Sequence, residues 1–323
     1  MKRKNRFFIG VAVAALTVSA SAGCGNDDAT VDSGGQEGYR IGFVNGNTIQ
    51  FHTCLEKSVR AQAEAKGVEL LVANSAGDPA KEISNVEDMI IKQVDAIIVQ
   101  TVNIDAQQGD VDRANRADVP IFLTSVAAVD PNKILGAATT DVEHAGALLG
   151  QWVAEDGGQE PAEIAIIGGA PGASADLMNK GFKAALGDGQ QVVFEQPALW
   201  QRAKAQEVAE NLLQGNPGIK YLFVHNEDMA FGALSALRAA NRDDIKIVTI
   251  NGTDDGLAAI RDGQISATIS QPPRLIGEMA IDAVVSLLDA ENGGSGPTAP
   301  KVQQIPDQLI TASNVDQAPQ YCL

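Results

Sequence analysis

The chain has 323 residues, 45% of them apolar and 4% aromatic, with a formal net charge of −17. That is enough for one large core or two modest ones. The acidity is spread over the chain and no basic patch interrupts it, so nucleic-acid binding is excluded.

The chain opens with Lys2, Arg3, Lys4 and Arg6, followed by FFIGVAVAALTVSASA (7–22). The apolar run is too short and too rich in small residues for a membrane span and reads as an export signal. It ends in SAGC (21–24), which resembles the processing site of bacterial lipoproteins, although Ser21 stands where that pattern usually has leucine. The resemblance implies removal of residues 1–23 and lipidation of Cys24. The alternative is a plain secretory peptide cleaved after ASA or SAG. Either route puts the mature protein outside the cytoplasm. The lipoprotein route anchors it to the outer face of the cytoplasmic membrane, where two acyl chains suffice. Residues 1–23 hold four basic and no acidic residues, so the mature charge is −17 − 4 = −21. GNDDATVDSGGQEG (25–38) is polar, Gly-rich and aperiodic, and residues 24–38 are expected to form a flexible tether.

Apolar runs of strand length then recur: IGFV (41–44), VELLVA (68–73), AIIVQ (96–100), IFLT (121–124), IAIIG (164–168), YLFV (221–224) and IKIVTI (245–250). They are continuous rather than alternating, as in parallel strands buried on both faces. Helical patterns lie between them. Leu55, Val59 and Ala63 mark one face. Asp78-Pro79 is an N-cap with a first-turn proline, and Ile83, Val86 and Ile90 follow on one face. Leu148, Leu149 and Trp152 mark a third helix. The pattern predicts an α/β protein with mainly parallel sheets. The strands fall into groups near 41–124 and 164–270, with LGAATTDVEHAG (135–146) between. A closed (β/α)₈ barrel is the alternative, since periodicity alone does not separate the two.

Few motifs carry catalytic chemistry. GGAPGA (168–173) follows a strand but lacks the GK[ST] ending of a phosphate loop and the G-x-G-x-x-G spacing, so it reads as a strand-to-helix turn lining a cleft. There is no G-x-S-x-G elbow. His52, His144 and His225 lie on different units, without metal-ligand spacing, and His52 with Cys54 is a weak H-x-C. No carboxylate pair stands out for acid/base work.

Three long stretches carry a resemblance: GDPAKEISNVEDMIIKQVDAIIV (77–99), NEDMAFGALSALRAA (226–240) and INGTDDGLAAIRDGQISATISQPP (250–273). In order and spacing they resemble the ribose-binding family of type I periplasmic binding proteins, the extracytoplasmic receptors of ABC-type sugar importers. The resemblance covers about residues 40–312. It implies two Rossmann-like lobes with parallel sheets, joined by crossings near Thr139–Asp141, just after Gln271 and near Pro306. Residues 39–139 with 272–306 would form the first lobe, and 140–271 with 307–323 the second. One ligand would bind between them, and closure is the signal read by the transporter permease. The implied protein is a monomer without catalysis, cofactor or metal.

A sugar needs planar amides or carboxylates for paired hydrogen bonds and an aromatic ring for its C–H face. Asn45, Asn226, Asn251 and Gln271 follow or end predicted strands, which places them at the cleft edge. The resemblance puts pocket aromatics at Trp200 and at the pair Phe51 and His52, although an isolated Trp or Phe in such a loop also serves as a core plug. Three departures set the chain apart. Ser125 and Val126 stand where the ribose-type pocket has an Asp-Arg pair, Asp176 where it has an Arg, and Asn251 where it has an Asp. Charge-assisted hydrogen bonds are the strong ones, so the expected ligand is a monosaccharide or sugar alcohol other than ribose. Asp176 also admits an amino group, or is simply a solvated acid at a helix start.

Cys54 and Cys322 are expected to form a disulfide outside the cytoplasm; the alternative is two free thiols. Other classes are a carbohydrate-active surface enzyme, for which no motif is found, and a sugar-responsive repressor. An export signal where a DNA-binding helix-turn-helix would sit argues against the repressor. A receptor coupled to a sensor rather than an importer has the same sequence signature.

Overall fold

The computed structural model describes residues 38–323; the expected export signal, Cys24 and the expected tether through residue 37 lie outside the described residues. Five strands open the first sheet: β1 (Arg40–Asn45), β2 (Glu69–Asn74), β3 (Ala96–Gln100), β4 (Ile121–Ser125) and β5 (Gly136–Thr139). Helices α1 (Gln50–Ala65), α2 (Pro79–Ile91) and α3 (Gln107–Arg116) connect them. Helix α4 (Val142–Gly157) begins the second lobe, whose strands are β6 (Ala162–Gly168), β7 (Gln190–Pro197), β8 (Ile219–Val224), β9 (Lys246–Asn251) and β10 (Ala267–Ser270). Between these run α5 (Ala173–Ala184), α6 (Arg202–Gly215), α7 (Glu227–Ala239) and α8 (Asp254–Arg261). Then α9 (Pro273–Glu291) and β11 (Val302–Gln304) return to the first sheet, and β12 (Gln308–Thr311) joins the second.

The sheet orders are β11-β5-β4-β3-β1-β2 and β12-β10-β9-β8-β6-β7. All pairings are parallel except β10–β12. Two separate open sheets replace the closed barrel that periodicity left possible. Most of the continuous apolar runs are buried on both faces; VELLVA is the exception, since β2 is an edge strand and its residues are only half-buried or exposed. In β1 and β3, Ile41, Phe43 and Ile98 pack with Leu55 and Val59 of α1 and Ile276 and Ile281 of α9. Val44, Ile97 and Val99 pack on the other face with Val86 and Met89 of α2. Each such side chain contributes about 1.5–3 kcal/mol on burial, an upper figure.

Asp78 caps α2 as its sequence suggests, accepting hydrogen bonds from Ala80 N and Lys81 N. The buried face, however, is Glu82, Val86 and Met89, with Ile83 and Ile90 only half-buried. The strip is rotated because a carboxylate, Glu82, points inward. Strands β5, β7, β10, β11 and β12 are absent from the apolar runs, two of them for a plain physical reason. GAAT is too small to read as a strand, and QQVVFEQP alternates because it is an edge strand buried on one face.

Four segments pass between the lobes. Three are Thr139–Asp141, Gln271–Pro272 and Ile305–Asp307, between sheet-bound elements. The fourth is the C-terminal tail. The turn Val315–Gln317 packs on the second lobe. The last residues, which the sequence reading assigns to that lobe, run back to the first. Arg274 N donates to Tyr321 O at 3.3 Å, and the Cys54 and Cys322 sulfurs are 2.13 Å apart with Cα atoms 5.1 Å apart. That Cα separation lies within the range of disulfides. The loop it would close spans 268 residues, for which chain entropy gives about 5 kcal/mol in a disputed model. With Cys24→Ser removing the third cysteine, the denatured exported protein should show no reactive thiol before reduction and two after. Two thiols without reductant would mean that the bridge does not form.

Candidate functional site

The order of each sheet reverses between its first and third strands, and α/β sheets bind ligands at the carboxyl edge of that switch point. Here the two carboxyl edges face one cleft of about 530 Å³. It sits within the usual range for small-molecule sites. Of the residues singled out from sequence, Phe51, His52, Ser125, Trp200, Asn226, Asn251 and Gln271 line it together. Asn45 and Asp176 do not. Asn45 is fully buried behind the wall, with Nδ2 donating to His52 O at 2.9 Å. Asp176 is exposed on α5, and Met178 of the same helix lines the cleft instead. Two residues turn a helix by about 200°, so Asp176 and Met178 take opposite faces of α5.

In the first lobe, His52 is nine-tenths buried, and burial pulls its pKa down to about 4. It is a neutral imidazole at physiological pH. Its Nδ1 lies 2.7 Å from Asn45 Oδ1 and 3.1 Å from Asn47 N. A neutral ring makes one of these as a hydrogen bond, accepting from Asn47 N or donating to Asn45 Oδ1, and Nε2 is the nitrogen without a described protein partner. Phe51 meets the ring edge-on at 5.6 Å. Next along the wall, Gln100 Oε1 accepts from Thr124 Oγ1 at 2.8 Å and Ser125 Oγ at 2.6 Å, so the Ser125 hydroxyl proton is already engaged.

In the second lobe, Trp200 lies over Gly169, where a Cβ would come within 2.1 Å of the indole. Behind it, His225 is 1% exposed, with Nδ1 accepting from Gly169 N at 3.0 Å and Nε2 donating to Asn179 Oδ1 at 2.8 Å. Burial holds its pKa down to about 3, so this tautomer stays neutral. Asn226 caps α7 by accepting from Met229 N at 2.8 Å. Glu227, the next residue, is buried and accepts from Gly252 N (2.8 Å), Thr253 N (2.8 Å), Thr268 Oγ1 (2.7 Å) and the Thr253 hydroxyl. Burial pushes its pKa up while those donors pull it down. The carboxyl pins the β9–α8 turn that presents Asn251. Ser125, Trp200 and Asn251 have φ of 67°, 61° and 144°. Such conformations persist where surrounding contacts over-determine them, and they cluster at functional sites.

Sequence reasoning missed Gln100, Asn103, Met178, His225 and Tyr321, all of which line the cleft. Gln100 and His225 carried a usable signal, since each ends or follows a predicted strand. Met178 carried none, and Tyr321 carried only the expected bridge between its neighbour Cys322 and Cys54 on the helix of Phe51 and His52.

Residues 41–292 match the model of the periplasmic binding protein domain. The ribose import binding protein RbsB of Bacillus subtilis (strain 168) is 32% identical, over 83% of this chain and 88% of the relative. The chain belongs to the ribose-binding family of type I periplasmic binding proteins. The xylitol-binding protein of Mycolicibacterium smegmatis is 30% identical over 96% of this chain and 87% of its own length. Among solved structures, the binding component of the arabinose ABC transporter of Shewanella sp. ANA-3, bound to L-arabinofuranose, superposes with a TM-score of 0.78. It shares 27% identity and covers 86% of this chain and 93% of its own.

In this binding protein, one buried acid links two of the crossings to the first turn of α4. Asp307 accepts from Gln271 Nε2 at 2.8 Å, and its other oxygen lies 3.1 Å from His144 Nδ1. Burial raises the Asp307 pKa, while Gln271 and His144 lower it. A second buried acid supports the β3–α3 loop at the cleft. Glu82 accepts from Thr101 Oγ1 at 2.7 Å and Val102 N at 2.6 Å. Burial, with Asp110 nearby, pushes its pKa up to about 7 despite those two donors. Asp110 is also pushed up by burial, against Arg113.

Because the folded pKa of Glu82 exceeds the unfolded value, its contribution to stability is full below about 4.5 and is lost as pH rises through about 7. The lowered histidines act in the opposite sense, but only below their ordinary value of 6.5. The melting-point difference between Glu82→Gln and the parent should therefore grow in favour of the variant from pH 5 to pH 8. A constant difference would remove Glu82 as the titrating group.

Proposed function

We propose that the protein is a lipid-anchored extracytoplasmic receptor. It captures a neutral monosaccharide or sugar alcohol between its lobes and delivers it to an ABC-type permease. One observation carries the ligand class. The cleft offers the amides of Gln100, Asn226, Asn251 and Gln271 beside the rings of Phe51 and Trp200, and no lysine or arginine lines it among the described residues. Its single lining acid, Asp228, is paired with Arg202 at 2.9 Å. Neutral amides and flat rings suit vicinal hydroxyls and a C–H face better than a carboxylate or phosphate.

Relatives bind ribose, xylitol and arabinofuranose by name, which supports the class. Ser125 and Val126 in place of the Asp-Arg pair, and the neutral His52, favour a ligand other than ribose. The export signal and Cys24 supply the anchor, the bridge between Cys54 and Cys322 forms after export, and the receptor acts as a monomer without turnover. The family's receptors serve importers, and the permease is the partner that reads closure.

A thermal-shift panel of ribose, arabinose, xylitol, myo-inositol and glucosamine tests the class. A ligand at 100 times its Kd stabilises the native state by about 2.7 kcal/mol, roughly 4–5 °C for a chain of this size. Trp200→Ala should abolish the shift. If no sugar or polyol moves the melting point, the ligand class is wrong. A shift that survives Trp200→Ala would take the indole out of the site.

A further inference from the structure

One side chain reaches the cleft from outside either lobe's own fold. Tyr321 lies two residues from the end of the chain, is 1% exposed, and lines the cleft. Its hydroxyl makes no hydrogen bond to a described residue, and it is open to the cleft rather than sealed in protein. Burial pushes its pKa well above the ordinary phenol value, with Glu227 adding to the effect. The hydroxyl therefore keeps its proton and is available as a donor.

The tail has no sheet or helix to hold it there. Its attachments are the Arg274 N to Tyr321 O hydrogen bond and the neighbouring Cys322, bonded to Cys54. Cys54 stands on α1, the same helix whose first turn presents Phe51 and His52. One rigid helix thus sets the aromatic wall and fastens the residue that brings the phenol.

We propose that Tyr321 contacts the ligand directly, donating a hydrogen bond to one of its hydroxyls, and that the Cys54–Cys322 bridge positions it to do so. The proposal rests on the sugar-or-polyol reading above. A phenol open to the cleft gives its hydrogen bond to water until a ligand displaces that water and must offer an acceptor in its place. A polyhydroxyl ligand supplies that acceptor, and an apolar ligand would not. The bridge then has a role in binding as well as in stability, because it spares the ligand the entropy of ordering a free tail.

The test is calorimetric titration of the mature chain with ribose, arabinose, xylitol and myo-inositol. Four forms are compared: parent, Tyr321→Phe, C54S/C322S, and the triple variant. Phenylalanine keeps the ring and its packing. Tyr321→Phe should weaken the best of these ligands by about 3–10-fold, the effect of one hydrogen bond. C54S/C322S should weaken it at least as much. Adding Tyr321→Phe to C54S/C322S should cost less than about twofold more, because the phenol is already displaced. A purely stabilising bridge would instead leave the two effects to multiply, and that result overturns the positioning role. Binding by Tyr321→Phe within twofold of the parent overturns the contact itself. If the parent binds none of the four compounds, the sugar-or-polyol reading fails and this proposal fails with it, an outcome distinct from an unchanged Tyr321→Phe.

Discussion

Parallel strands joined by crossover helices must all end on one edge of their sheet, and that constraint places the whole site. Each lobe repeats the same order, with β2-β1-β3-β4-β5 matched by β7-β6-β8-β9-β10. Each therefore opens its crossover loops at the same kind of edge. Turning the two edges toward each other makes a cleft whose lining comes from strand ends: Gln100, Ser125, Asn251, and Asn226 and Gln271 just beyond theirs. Rigid strands position these groups, and the loops add Trp200 and Asn103. An antiparallel pairing would have sent half of them to the far side. The one antiparallel strand, β12, is an edge strand that carries the chain away from the crossings.

The cleft is polar without being charged, and burial is the reason. His52 and His225 are held neutral by desolvation, and the carboxyls of Glu82 and Glu227 are pushed toward the neutral form by the same cause. His52 and His225 present no net charge to a ligand, and neither Glu82 nor Glu227 lines the cleft. Their hydrogen bonds are spent inward instead. Glu227 holds the turn behind Asn251, Glu82 holds the loop of Thr101 and Val102, and His225 holds Gly169 under the indole of Trp200. A ligand therefore meets amides and rings whose orientation is already set, which lowers the entropy lost on binding. An ion would meet little to compensate for its lost water.

Much of this was legible in the sequence where a strong local signal existed. Continuous apolar runs marked the buried strands, Asp78-Pro79 marked the start of α2, and residues at strand ends marked most of the cleft. The losses follow from weak or ambiguous local signals. GAAT of β5 carries too little apolar surface to read as a strand. Ile83 and Ile90 satisfied a helical stripe as well as Met89 does, and only the buried demand of Thr101 and Val102 for an acceptor explains why Glu82 points inward. Asp176 takes the outer face of α5 while Met178 takes the cleft face. Asn45 was placed at the right strand end, but its amide is used to orient His52 rather than to meet the solute.

Tyr321 was legible only through the expected bridge of its neighbour Cys322, which bears on how such a receptor closes. No periodicity or spacing ties residue 321 to residue 54, because the contact is made by a tail that has left regular structure. Yet the tail adds a fourth connection between lobes already joined three times, and the three differ from it in kind. Gln271, Asp307 and His144 lie on one hydrogen-bonded string at the crossings, where small backbone rotations can be absorbed as hinges. The tail runs from the turn packed on α8 to a covalent bond on α1. Residues 315–322 therefore tie the second lobe covalently to α1 of the first, and any parting of the lobes must be taken up within that short segment.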